Sequence, residues 1–437
     1  MNKRLYSFLL ILVGFSFIFL VGCEDDEATF PNQTNLGTAK NAGTVQQITI
    51  NSQYTGEAKK VNVYLPYEYD ANDAEGYPVV YFLHGFGGDE NTWLSGYQLD
   101  KVADVLIADG KIKPMILVMP NAKNALGGSF YTNSVDLTSP IFPSGGFGYY
   151  EYYIMQEVIG TVEAMFNINP DKRAIEGHSM GGYGAMKLAM LYPSMFKSVA
   201  SHSGPLDYNE LIFNENSNFL PRIAMENIDP ATGNPLPVID LAKAAASPTT
   251  HPLTMTMFGL SSAFTPHFNT AGTYDSYLYS VGVITDPTVV NQFMVQATPV
   301  TDMGTPNDPS DDVYPGVDLP VRITSPGQMA DTVTAPFMKY LANDCYTMLA
   351  TGKKPTQEAL DVEGFKALNI YMDCGEQDDY DPMDDGAGFG IIYTNNTFDA
   401  LMTQMGITHR YETYTGAHSS DIYYRIEIAL KEHNKVF

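Results

Sequence analysis

The stretch Lys172-Arg173-Ala174-Ile175-Glu176-Gly177-His178-Ser179-Met180-Gly181-Gly182, continuing into Tyr183-Gly184-Ala185-Met186-Lys187-Leu188-Ala189-Met190-Leu191, decides the fold. Lys172 to Glu176 reads as a short strand ending at a glycine. Residues 182–191 are helix-forming and stop at Tyr192-Pro193. Between them, Gly177-His178-Ser179-Met180-Gly181 fits G-x-S-x-G, a sharp strand-to-helix turn that lifts a serine hydroxyl above the end of a sheet. Glycines flank it because strand and helix must pass close together there. Ser179 is the candidate nucleophile, placed where helix N–H groups and the helix dipole favour a developing oxyanion.

Working outward, Val45–Ile50 and Lys60–Leu65 alternate as half-buried strands and suggest an antiparallel start to a sheet. Pro78–Leu83 and Pro114–Met119 are continuous apolar runs, as expected of strands covered on both faces. Residues 99–110 have helical spacing, and Glu151 to Phe166 reads as a helix leading into the serine-bearing strand. Later strands fall at 196–201, 368–373 and 409–414, with helices over about 389–405 and 419–433. This alternation predicts an α/β fold with a mostly parallel central sheet and helices on both faces.

Residues 205–340 break the rhythm and are read as a large cap-like insertion that covers the site and chooses substrates. Met255, Met257, Phe258, Phe264, Phe268 and Phe293 would suit an apolar pocket wall, or would pack a small core of the insertion. The acidic run Asp302–Asp312 lacks the spacing and glycine of a calcium loop, so a solvated loop is the simpler reading.

A serine hydroxyl needs a base to take its proton. Of eight histidines, His418 follows the last strand in Gly416-Ala417-His418-Ser419, a loop at the carboxyl end of a parallel strand, where open α/β sheets place their ligands. His84, in Leu83-His84-Gly85-Phe86-Gly87-Gly88, suits an oxyanion loop better than proton transfer, and His178 adjoins the nucleophile too closely to curl back to it. His202 could line the site or merely pack. The imidazole in turn needs a carboxylate lying between Ser179 and His418 in the chain. Cys374-Gly375-Glu376-Gln377-Asp378-Asp379-Tyr380-Asp381 offers several.

Leu83-His84-Gly85, Gly177–Gly182, the Cys374-Gly375-x-x-Asp378 segment and Gly416-Ala417-His418 together resemble the esterase D-like group of α/β-hydrolases. That group includes carbohydrate esterase family 1 feruloyl and acetylxylan esterases, S-formylglutathione hydrolases and mycolyltransferases. Gly128-Ser129-Phe130-Tyr131-Thr132-Asn133-Ser134 is similar to a stretch that lines the site in bacterial esterases of this kind. The resemblance covers roughly 45–204 and 340–433. It implies an α/β-hydrolase domain over 45–437 with its insertion at about 205–340. It also implies Ser179, His418 and Asp378 as catalytic residues, with Asp379 as the close competitor for the acid. Phe86 and Met180 would be the oxyanion donors, and His84, His178 and Tyr131 would line the substrate.

The amino terminus reads as an address. Asn2-Lys3-Arg4 precedes an apolar run ending in Leu20-Val21-Gly22-Cys23, which resembles a bacterial lipobox. Residues 1–22 would be a signal peptide, Cys23 a lipidated residue and 23–44 a tether. Glu24-Asp25-Asp26-Glu27 resembles a signal for the outer surface of the outer membrane. The expected location is the cell envelope, with membrane attachment only through the lipid.

With 24 basic against 50 acidic residues, the chain would repel nucleic acid, which is excluded as a partner. Cys345 and Cys374 could pair, but no disulfide framework or metal-binding spacing is present. No metal or organic cofactor is implied. The expected activity is serine-dependent hydrolysis of carboxylic esters, with an ester on a polysaccharide, feruloyl or acetyl, as the substrate. The same residues would also serve an acyltransferase, and the least chemical reading is a non-catalytic glycan-binding lipoprotein.

Overall fold

A computed structural model describes residues 41–124, 126–135, 147–214, 217, 219–227, 251–270, 313–317, 320, 322–325, 328–330, 335–378 and 390–437. The expected leader, Cys23 and nearly all of the tether lie outside the described residues, as do Phe293, the acidic run at 302–312 and Asp379.

The main sheet has eight strands: β1 (Thr44–Asn51), β2 (Ala58–Leu65), β3 (Tyr77–Leu83), β4 (Ile116–Pro120), β5 (Ile168–His178), β6 (Ser198–His202), β11 (Asn369–Gly375) and β12 (Arg410–Tyr414). The insertion supplies the short strands β7 (Pro266–Thr270), β8 (Val313–Val317), β9 (Arg322–Ser325) and β10 (Gln328–Ala330), which pair among themselves. In space the main order is β1-β2-β4-β3-β5-β6-β11-β12. β1 and β4 each run antiparallel to β2, and every other neighbouring pair is parallel. This is the mostly parallel α/β-hydrolase sheet that the alternation and the resemblance imply.

Helices α1 (Leu99–Ala108), α2 (Met180–Leu191), α4 (Ile391–Gln404) and α5 (Ile422–Asn434) fall where their spacing predicts. α3 (Pro252–Phe264) belongs to the insertion. α2 is buried along its whole length, which explains a helix with so little polar sequence. The helix expected over 151–166 is interrupted. Residues Tyr153–Val158 form a wider π-turn, and the extra residue per turn lets Tyr153, Ile154, Met155 and Val158 all reach the interior.

The insertion is not a separate layer. Met257 and Phe258 of α3 are fully buried in the same core as Phe130, Tyr131 and Met180. The Phe264 ring packs 5.3 Å from Tyr208 and 6.0 Å from Tyr183 on α2. The expected pocket wall is corrected accordingly. Met257 and Phe258 fill the main core, Met255 sits at its edge, and the Phe268 side chain lies outside the described residues. Phe264 also lines a cavity of about 410 Å³ with Thr132, Leu191, Tyr192 and Asn343. That cavity includes none of Ser179, His418 and Asp378.

Candidate active site

Ser179 stands between β5 and α2 with φ 58° and ψ −121°, a backbone conformation that a serine adopts only when its surroundings force it. The forcing is steric. A Cβ on Gly177 would lie 2.1 Å from the Gly181 carbonyl oxygen, and one on Gly181 would lie 1.9 Å from that of Leu83. Only hydrogen fits at either position. The turn is locked from below by the Ser179 N–H, which donates to the His202 carbonyl at 2.8 Å.

His418 and Asp378 arrive on the loops after β12 and β11. Those loops are tied together, because the Gln377 N–H donates to the Gly416 carbonyl at 2.9 Å and the Glu376 N–H to that of Tyr414 at 2.8 Å. Gly375 permits this approach, since a Cβ there would meet the Gly416 carbonyl oxygen at 2.2 Å.

The three side chains form a continuous relay. Ser179 Oγ lies 2.8 Å from His418 Nε2, and His418 Nδ1 lies 2.8 and 3.1 Å from the two oxygens of Asp378. A carboxylate only accepts, so Nδ1 carries the ring proton and Nε2 is free to accept from the serine hydroxyl. Burial disfavours the imidazolium, but the Asp378 charge and hydrogen bond outweigh it and hold the His418 pKa above its ordinary value. Asp378 is buried, whereas the His418 side chain keeps 25% of its exposure, so the base is reachable and its acid is not.

Among the described residues, the backbone N–H groups of Phe86 and Met180 have no acceptor, although those of Gly87 and Gly88 are bonded to Gly127 and Gly85. Two uncommitted amides beside the serine can receive a negative oxygen. The Gly128–Ser134 segment supports them from behind. Its Phe130 N–H donates to Met180 Sδ at 3.4 Å, and Gly128 packs against both the Phe86 ring and the Met180 sulfur.

The expected substrate-lining residues need correction. His84, His178 and Tyr131 are all buried, at 1%, 3% and 0% exposure. The His84 Nδ1–H donates to the Gly85 carbonyl at 2.8 Å, while Nε2 accepts from the Ala122 N–H at 2.9 Å. Burial pushes its pKa down to about 4, so the ring is a neutral splint for the oxyanion loop. The Tyr131 hydroxyl donates to the His84 carbonyl at 2.8 Å and holds the same loop. The His178 ring is turned toward the His418 backbone, with Nε2 2.8 Å from its carbonyl oxygen.

His202 neither lines the site nor packs passively. It lies in a buried ionic network directly beneath the serine turn, 2.8 Å from Asp373 and 2.8 Å from Glu176. Glu176 also meets His433 at 3.1 Å, and Arg425 reaches Asp373 at 3.2 Å. Nothing in the local sequence marks these groups, because they come together from β5, β6, β11 and α5. His409 is bonded to Asp399 and His251 is buried just before α3, while the His267 side chain lies outside the described residues. Cys345 and Cys374 are both free and buried. The Cys374 thiol instead donates to Asp378 Oδ2 at 3.4 Å, a contact that spacing could not foretell.

The family model described as "Putative esterase" matches residues 52–428. The chain belongs to the Esterase family. The serine relay equips a member of this family for serine-dependent ester hydrolysis, the chemistry that the serine turn and the resemblance imply. It is similar to an endo-1,4-beta-xylanase/feruloyl esterase of Xylanibacter ruminicola, 37% identical over 162 residues, which are 36% of this chain and 21% of that protein. An esterase of Mycobacterium tuberculosis is 35% identical over 147 residues, 33% of this chain and 29% of that protein. The esterase thus spans less than a third of the length of these curated relatives. A solved ferulic acid esterase aligns over 91% of this chain and 100% of its own, at 16% identity and a TM-score of 0.49.

Proposed function

We propose that this esterase cleaves feruloyl or acetyl esters carried on polysaccharides and works at the cell envelope, held there by a lipid on Cys23. The reading of the chemistry rests on one observation: the unbroken Asp378–His418–Ser179 relay ending beside two uncommitted amides. Ser179 Oγ attacks the ester carbonyl as His418 Nε2 takes its proton. The tetrahedral oxyanion is held by the Phe86 and Met180 amides, each such donor being worth about 10²–10³ in rate. His418 then gives the proton to the departing alcohol, leaving an acyl group on Ser179. Water repeats the sequence in reverse and releases the acid. Asp378 fixes the imidazole tautomer and stabilises the imidazolium without itself taking the proton.

The substrate class is supported by the feruloyl esterase part of the Xylanibacter relative's name and by a leader that suits export. The lipobox-like Leu20–Cys23 supports the anchor. Rates on aryl acetates, methyl ferulate, acetylated xylan and short thioesters test the substrate, together with fluorophosphonate labelling of Ser179. Methyl ferulate or acetylated xylan should exceed the thioesters in kcat/KM, and preference for thioesters would overturn the substrate reading. A chain begun at Glu24 should leave the membrane fraction while keeping its activity, and its retention there would overturn the lipid anchor.

A further inference from the structure

His178 occupies the position before the nucleophile, yet its ring is buried and hydrogen-bonds to partners other than the serine hydroxyl. It turns back under the loop that carries His418. Nε2 lies 2.8 Å from the His418 backbone oxygen and Nδ1 lies 3.2 Å from the Tyr97 hydroxyl. A carbonyl only accepts, so Nε2 must carry the proton, and Nδ1 must then accept from Tyr97. The two imidazoles sit with centroids 4.9 Å apart, tilted by 46°.

Tyr97 is itself fixed. Its ring meets Trp93 edge-on at 5.3 Å, and fully buried Trp93 meets Phe82 of β3 at 5.0 Å. A chain of rigid rings therefore runs from the centre of the sheet to the backbone of the base. Burial, and then the neighbouring His418, push the His178 pKa down to about 3, so the ring adds no charge beside the base at any working pH.

We infer that His178 is a positioning residue, which fixes the backbone of His418 through its Nε2–H while Tyr97 holds the ring in place by donating to Nδ1. The inference rests on the reading of His418 as the base. Displacing a catalytic group by about 1 Å can cost about 10²-fold in rate, so such a contact would be visible in turnover.

The test is kcat and KM on 4-nitrophenyl acetate for the full-length protein and its His178→Ala, His178→Gln, His178→Asn and Tyr97→Phe variants. Thermal melting and the Ser179→Ala control run alongside. His178→Ala should lower kcat by between about 10- and 100-fold with KM nearly unchanged. Gln places an amide donor near the Nε2 position and Asn does not, so His178→Gln should recover to within about fivefold of the parent while His178→Asn stays low. Tyr97→Phe should lower kcat a few-fold, because the ring loses its hydrogen bond at Nδ1 and is held less firmly. Equal rates for the Gln and Asn variants, or a rise in KM at constant kcat, would overturn the positioning role. Activity surviving in Ser179→Ala would instead overturn the serine mechanism, a result separate from the behaviour of His178.

Discussion

The Phe86 ring lies against Gly259 of α3, so closely that a Cβ on that glycine would come within 2.4 Å of Phe86 Cε2. Gly127 and Gly128 confine the ring as well, at 2.9 and 2.5 Å by the same measure. Phe86, whose N–H has no acceptor among the described residues, is thus seated in a notch of three glycines, one of them supplied by the insertion.

Gly259→Ala should therefore shift Phe86 and its N–H and slow turnover of small and bulky esters alike. The loss is bounded by the value of one oxyanion donor, about 10²–10³ in rate. This differs from what an insertion serving only as a substrate filter would do. Comparing kcat on 4-nitrophenyl acetate and methyl ferulate decides it, because a loss confined to the ferulate would make α3 a size filter.

Asp378→Asn should reduce kcat by about 10⁴, since an amide stabilises the wrong imidazole tautomer. Asp379→Asn should leave most activity in place. Ser179→Ala and His418→Ala should each remove nearly all turnover, and the double variant should be no worse than either, because the residues act as one unit. Additive losses would mean that the two do not share a step.

Activity should climb with pH through a value above the ordinary histidine pKa of about 6.5. The sign follows from the relay. The Asp378 carboxylate outweighs burial and raises the His418 pKa, so the imidazolium, which cannot accept the serine proton, persists to higher pH. Asp378→Asn removes that charge and should move the residual kcat/KM limb downward. A limb that stays in place would uncouple the acid from the base.

The sheet was legible because each of its strands is a local pattern of alternation or continuous burial, and the serine turn because sterics dictate its glycines. Ser179 and His418 were legible because each sits at a strand's carboxyl end with one chemical role to fill, whereas the residues alone left several acids open in 374–381 and only the resemblance pointed to Asp378. The environment of the rings was not. His84, His178 and Tyr131 look like site residues by position, and only their partners across the chain, Ala122, His418 and the His84 carbonyl, reveal them as scaffold. The insertion was equally opaque, since its apolar residues join the main core through contacts such as Phe264 on Tyr208, which no period in the sequence encodes.

The buried network beneath the serine turn gives the last prediction. His202 is held between Asp373 and Glu176, and these partners overcome its burial and raise its pKa to about 9. The folded state therefore binds a proton that the unfolded chain releases near pH 6.5. The resulting stabilisation is fully present below about pH 6.5, shrinks above it and is gone beyond about pH 9. Asp373 works in the other direction: His202 and Arg425 overcome the burial penalty and lower its pKa, so its share is lost as acid protonates it. Lys187 opposes His202 at high pH, because burial lowers its pKa to about 8 and folding gains from its deprotonation there. Comparison with His202→Gln cancels that contribution. At pH 6.5 the variant should be less stable by about 3–5 kcal/mol, the cost of breaking a buried pair. The gap should narrow steadily toward pH 9, as read by urea denaturation at each pH. A gap of constant size would mean that His202 is neutral in the fold, and that Asp373 is balanced by Arg425 instead.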